Sequence, residues 1–262
     1  MKKILLLPLS LFVTTLNAAC PDGNTYPVTL TFDDGPHNVL TPRVLDVLKE
    51  EKVKGTFFVL GERFQGGKDN PNNKTAYSLL DRMKKEGHLI GSHTYHHLAH
   101  SKLSPESMKD NITKPNALLK DYLSPILRLP YGDGSFKSSN EAVQRKNDIV
   151  MDTVKKAGFT HVGWDIDTND WDKKKHATLL SSTLKQICSA HGGVILFHDI
   201  QANTVSHLQE WIRAIKAQGH PIVGLDKVKN EKYASACTGP VVSKKAEDLS
   251  RDVDEITKKL NN

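Results

Sequence analysis

From Val28 to Val223, short apolar runs alternate with longer segments whose apolar residues recur every three or four positions. That rhythm is the strongest constraint on the fold. A strand, a helix and a second strand in succession bring the chain back in the same direction through a right-handed crossover, so the sheet must be parallel. The strand-like runs are Val28–Phe32, Lys54–Leu60, His88–Ile90, Ile126–Leu129, Thr160–Trp164, Val194–Phe197 and Pro221–Val223. The helix-like segments are Pro42–Glu51, Thr75–Glu86, Ser104–Tyr122, Asp148–Ala157, His176–Ala190 and Thr204–Gln218. Thr41 is the expected N-cap of the first helix, and Gly87 the stop of the second. About seven such units over roughly 220 residues predict an α/β fold, an irregular (β/α)7 barrel rather than an open doubly wound sheet. An open sheet usually carries a glycine fingerprint after its first strand; here Asp33 and Asp34 occupy that place.

The ends of the chain differ from this pattern. The opening "MKKILLLPLSLFVTTLNAAC" has two lysines, an apolar stretch and then small residues, which is the form of a signal peptide covering residues 1–19. Its apolar part is too short for a membrane span, so no transmembrane anchor is expected and the protein is predicted to be exported, periplasmic or secreted. Cys20 raises the question of a lipidated leader, but Asn17 stands where such a leader normally has Leu. In an oxidising compartment one disulfide among Cys20, Cys188 and Cys237 is expected, with one thiol left over and the pairing open. The net charge of +6 falls to +4 without Lys2 and Lys3, and no basic block is dense enough for nucleic acid. Residues 20–240 are read as one domain and 241–262 as a charged tail. Two polar segments, Gly66–Lys74 and Gly132–Asn147, follow strands and are expected on the rim where a barrel gathers its active-site loops.

Ionisable residues follow five of the predicted strands. Asp33-Asp34 follow the first, His93 and His97 the third, Arg128-Leu-Pro130-Tyr131 the fourth, Asp167, Asp170 and Trp171 the fifth, and His198-Asp199 the sixth. The i, i+4 spacing of His93 and His97 predicts two imidazoles on one helical face. Two histidines and a carboxylate can hold a divalent metal and leave positions open for substrate. Adjacent residues point in different directions, so one aspartate of the pair can ligate while the other remains free as a base. An iron oxygenase with two histidines and one carboxylate would carry a short His-x-Asp pair on an antiparallel scaffold, and neither is present.

In their order along the chain, "TFDDGP", "HTYHH", "RLPY", "DTNDW" and "ILFHD" resemble the five motifs of the polysaccharide deacetylase family, the NodB-homology domain or carbohydrate esterase family 4. The resemblance spans Thr31 to Asp199. It implies that Asp33 is the general base and that Asp34, His93 and His97 bind the metal, zinc in most members, with cobalt or nickel as competitors. It further implies that Arg128 braces the base, that Asp170 orients the catalytic histidine and that His198 is the general acid. Tyr131 would offer a backbone N–H to the oxyanion, and Pro130, Tyr131, Trp171 and Leu196 would shape the sugar groove and acetyl pocket. His96, between the two ligand histidines, is an alternative ligand. The implied activity is N-deacetylation of N-acetylglucosamine polymers by a monomer. Peptidoglycan is the first substrate, chitin or its oligomers the second, and xylan O-deacetylation the third. A non-catalytic carbohydrate-binding relative would lack the base, a ligand or the acid, and all are present.

Overall fold

The first strand is apolar or hydroxylated throughout, and a strand of that composition must be covered on both faces. In the computed structural model, which describes residues 20–238, β1 (Val28–Asp33) is buried at every position. The expected leader and the expected tail both lie outside the described residues. Around β1 the sheet is entirely parallel, with β2 (Gly55–Val59), β3 (Leu89–Ser92), β4 (Ile126–Leu127) and β5 (Thr160–His161) on one side, and β7 (Gly193–His198) and β6 (Ile166–Asp167) on the other. The strand order is β5-β4-β3-β2-β1-β7-β6, a curled half-barrel whose edge strands, β5 and β6, are not paired with each other. The helices α1 (Leu40–Glu50), α2 (Lys74–Lys85), α3 (Pro105–Leu119), α4 (Glu141–Lys156), α5 (Leu179–Ser189) and α6 (Ala202–Ala217) pack against it.

Each helix buries the stripe that its sequence periodicity marks. In α1 the buried residues are Thr41, Val44, Leu45 and Leu48, and in α6 Thr204, Val205, Leu208, Trp211, Ile212 and Ile215. At about 25 cal/mol per Å² of buried apolar surface, side chains like these supply most of the gain on folding. Trp211 lies against Phe197 of β7 with ring centroids 5.1 Å apart, and Phe197 stacks on Phe32 of β1 at 5.7 Å. The core therefore joins the two strands that carry Asp33 and His198.

Several expectations are corrected. Pro221–Val223 is no strand of the sheet; it makes a single bridge, Val28 to Ile222, and the strand that brings the number to seven is β6, Ile166–Asp167. No helix separates β5 from β6, since only four residues, 162–165, connect them. Thr41 does not cap α1; it lies inside the helix, and Val39 holds the N-cap position without a side-chain bond. The predicted start of α4 also moves forward, because Asn140 caps it by accepting from Val143 N–H at 3.1 Å.

The cysteines are resolved as a Cys20–Cys188 disulfide with a Cα–Cα distance of 5.3 Å, and Cys237 is free and buried. Burial pushes the Cys237 thiol up to about 11, so it is inert at neutral pH. The bridge closes a loop of sequence separation 168 and ties the start of the described chain to the end of α5. Constraining a loop of that length removes unfolded-state entropy worth roughly 3–5 kcal/mol. The Cys20→Ser protein is expected to lose about that much, as a lower denaturant midpoint, and reductant should shift the wild-type midpoint equally. Equal midpoints for the two proteins without reductant would show that the bridge does not form.

Candidate active site

Two adjacent carboxylates at the end of β1 diverge because the backbone turns left-handed between them. Asp33 is still in the sheet, paired in register with His198 of β7 and Phe58 of β2. Asp34 has φ 74°, a conformation that takes its side chain away from that of Asp33. The next residue must be glycine, since a Cβ on Gly35 would lie 2.3 Å from the Asp199 carboxylate. Asp199 is fully buried and accepts a hydrogen bond from the Thr41 hydroxyl, and burial pushes its pKa up to about 7. A carboxyl group thus fills the space directly under the Asp34–Gly35 turn.

His93 and His97 reach the same point without a helix. Residues 93–97 form a loop beyond β3 in which Thr94 takes φ 69°, which corrects the expectation of a shared helical face. The loop is fixed from α3. Pro115 lies inside that helix and has no N–H, so the carbonyl of Asn111 is left without its helical partner. Tyr95 N–H donates to that carbonyl at 2.8 Å. The Asn111 side chain then accepts from His96 N–H at 2.6 Å and donates to the His96 carbonyl at 3.1 Å. His96 itself faces away and pairs with Glu62 at 2.7 Å, so it takes no part in the cluster.

The Nε2 atoms of His93 and His97 each lie 3.3 Å from Asp34 Oδ1, and one donor atom from each of the three residues falls within 4.8 Å of the others. His93 Nδ1–H donates to the Arg128 carbonyl at 2.8 Å, which leaves the Nε2 lone pair directed at the cluster. Burial lowers the pKa of His97 and favours its neutral, ligating form. Burial would raise that of Asp34, but His93, with the charges of His198 and His97, brings it down to about 2. Asp34 Oδ1 is buried and has no hydrogen-bond partner among the described residues. An anionic oxygen shielded from water beside two inward-facing imidazoles fits a divalent cation. A second cluster, Cys20, Cys188 and His220, has its thiols consumed by the disulfide.

Arg128 stands behind Asp33. Its side chain is wholly buried and lies over the Phe58 ring at 4.3 Å. Nη1 donates at 2.8 Å to both Asp33 Oδ1 and Thr31 Oγ1, while Nε and Nη2 donate to the carbonyls of Val162 (3.0 Å) and Gly163 (2.8 Å). The guanidinium therefore fills the seam between β5 and β6 and fixes one oxygen of Asp33. The other oxygen, Oδ2, lies 3.8 Å from His93 Nε2. Across the site, Asp170 accepts from His198 Nδ1–H and from His198 N–H, both at 2.7 Å, and from the Thr204 hydroxyl. Burial opposes charge on His198, but the hydrogen bond and charge of Asp170, with Asp33 and Asp34 nearby, raise its pKa to about 9.

These groups line a cleft of about 400 Å³ together with Tyr131, Trp164, Asp167, Trp171, Leu196 and Gln201. Asp33, Asp34, His93, His97, His198, Tyr131, Trp171 and Leu196, all singled out in the sequence, are on its wall. Arg128 and Asp170 support that wall from behind, and Pro130 is buried in the turn that presents Tyr131. No motif in the sequence points to Trp164 or Gln201, nor to Asn111 or Thr204, which act from distant helices. The Gly66–Lys74 segment contributes nothing to the cleft wall; Lys68 covers the Tyr122 ring at 4.8 Å instead.

The polysaccharide deacetylase family model matches residues 21–162. The peptidoglycan-N-acetylglucosamine deacetylase PgdA of Listeria monocytogenes serotype 1/2a is 34% identical over 209 residues, 78% of this chain but 39% of the Listeria protein. The peptidoglycan-N-acetylmuramic acid deacetylase PdaA of Bacillus subtilis is 32% identical over 219 residues, covering 80% of this chain and 74% of that one. Among solved structures, a T48 deacetylase with substrate superposes with a TM-score of 0.61 at 30% identity, over 83% of this chain and 95% of the other. On the match of the family model and on these identities, the chain belongs to the polysaccharide deacetylase family.

Proposed function

We propose that the protein is an exported, metal-dependent hydrolase that removes acetyl groups from N-acetylglucosamine residues of peptidoglycan. The carrying observation is that Asp33, braced by Arg128, and His198, held by Asp170, stand side by side at the ends of β1 and β7 and line one cleft with the cluster of Asp34, His93 and His97. A zinc ion held by those three residues would supply Lewis-acid polarisation of the amide carbonyl and lower the pKa of water. Asp33 takes a proton as water attacks the acetyl carbon. Tyr131 N–H shares the developing negative charge, typically worth a few kcal/mol per donor. His198 gives its proton to the sugar nitrogen as the C–N bond breaks, which releases acetate and a free amine.

The choice of sugar rests on charge. Of the carboxylates on the cleft wall, Asp33 is paired with Arg128 and Asp34 would be offset by the metal, which leaves Asp167 as the negative charge without a cationic partner among the described residues. The lactyl group of N-acetylmuramic acid is anionic where it carries no peptide, and a like charge at contact distance costs on the order of 1–4 kcal/mol. N-acetylglucosamine has no such group. Export is supported by the leader-like opening and by a disulfide that persists only where conditions oxidise. Among the described residues, no helix is long and apolar enough to cross a membrane.

Zinc-loaded protein is expected to release acetate from purified peptidoglycan, and muramidase digestion with mass spectrometry should place the free amines on glucosamine. Asp167→Asn should narrow the preference for glucosamine over muramic acid by about tenfold, or ~1.4 kcal/mol. Free amines confined to muramic acid would overturn the choice of sugar, and absence of acetate release from any N-acetylated polysaccharide would overturn the activity.

A further inference from the structure

We propose that a cavity on the far side of Trp164 is a second sugar subsite, which holds a neighbouring unit of the polymer whose N-acetyl group is in the catalytic cleft. The proposal rests on the deacetylase reading and adds a place where chain length is sensed. The cavity measures about 230 Å³, and Trp164 is common to its wall and to that of the cleft. The two spaces are therefore neighbours separated by one indole.

Its lining has the mixed character that a pyranose requires, apolar faces flanked by polar edges. Phe136 is 61% exposed, an unusual position for a large ring, and it meets Trp164 edge-on with centroids 6.2 Å apart and planes at 86°. Aromatic side chains held in this way present flat apolar surface at small entropic cost. Around them stand Ser135, His161, Asp165 and Lys232, a set of donors and acceptors for hydroxyl and amide groups. His161 Nε2 is buried and has no hydrogen-bond partner among the described residues. Burial and the charge of Arg128 keep this imidazole neutral, with a pKa of about 3, so it adds no charge to the wall of the cavity.

The subsite is also mechanically joined to the catalytic turn. Gly132 has φ +64°, and a Cβ there would lie 2.6 Å from Phe136 and 3.0 Å from Trp164. Glycine lets the turn that carries Tyr131 rest directly on the aromatic pair, while the Tyr131 ring meets His97 at 4.5 Å. A sugar packed on Phe136 and Trp164 would thus steady the Tyr131 turn against the cleft. The polar segment 132–147, expected from sequence to shape the groove, supplies Ser135 and Phe136.

The test uses N-acetylglucosamine disaccharide and pentasaccharide with zinc-loaded wild type, Phe136→Ala and Lys232→Ala. Binding of the same sugars to Asp33→Asn, and to that protein with Phe136→Ala added, is followed by tryptophan fluorescence. In wild type the KM for the pentasaccharide should be at least tenfold below that for the disaccharide. In Phe136→Ala that ratio should collapse toward one, and Lys232→Ala should reduce it several-fold. The fluorescence change with pentasaccharide should weaken in parallel. If wild type deacetylates both sugars and all three proteins keep the same KM ratio, the subsite is overturned and the deacetylase reading stands. If wild type acts on neither these sugars nor peptidoglycan, the deacetylase reading falls and the subsite with it.

Discussion

Asp33→Asn is expected to lower kcat/KM by about 10²–10⁴-fold, the usual contribution of a general base, while zinc affinity stays within a few-fold of wild type. The separation follows from what each oxygen of Asp33 touches. Oδ1 is fixed by Arg128 at 2.8 Å, and Asp33 is absent from the three-residue cluster formed by Asp34, His93 and His97. Asparagine keeps an oxygen for Arg128 but has no group that can take a proton from water. The change also leaves a fully buried guanidinium without its counter-charge, and removing one partner of a buried ion pair costs about 3–5 kcal/mol. Rates must therefore be compared below the unfolding transition of the variant. Asp34→Asn should behave oppositely, losing zinc first and activity as a consequence. Competition with a chromophoric chelator reads the metal and acetate release reads turnover. Loss of zinc from Asp33→Asn, with retention in Asp34→Asn, would exchange the two assigned roles.

Much of this site is legible in the sequence because the fold puts strand ends on one rim. Once strands are recognised from their apolar runs, the residues just after them are nominated together, and Asp33, His93, Arg128, Asp170 and His198 all fall in that class. The same logic located β1 and β7 within a residue or two, since both are buried along their length and have no competing helical pattern. The failures occur where local sequence is not decisive. The spacing of His93 and His97 nominated two residues that the fold does bring together, but not through a shared helical face: the loop is held by Asn111 and Pro115 of α3, and no periodicity connects those positions. Thr204 and Asp199 bond groups more than thirty residues away, and Cys20 finds Cys188 across the whole domain. The two-residue strand β6 is too short to carry an alternation, so its register with β7 comes from tertiary packing alone. Thr204, Asp199 and Cys20 act through partners distant in sequence, and such partners emerge only from the folded chain.

The second large effect concerns proton delivery, and Asp170→Asn is expected to lower kcat by about 10²-fold or more at neutral pH, with a change in the shape of the pH profile. His198 must carry a proton to donate one. Its pKa of about 9 lies above the ordinary value of 6.5, so in wild type the proton is held throughout the neutral range and activity declines as pH rises through about 9. A divalent cation on Asp34 would offset the attraction from the nearby carboxylates, but the Asp170 bond at 2.7 Å is local and remains. Asparagine in place of Asp170 removes that bond's charge, leaves burial as the dominant influence, and moves the descending limb to lower pH. The stability consequence has the same sign. A group whose folded pKa is raised contributes fully below its unfolded value of about 6.5, and that contribution is lost as pH climbs through about 9. The difference in denaturant midpoint between wild type and Asp170→Asn should therefore be largest near pH 6 and shrink above pH 9. A profile whose alkaline limb keeps its position in Asp170→Asn would remove His198 from the role of acid, because Asp170 would then have no hold on the proton that is transferred.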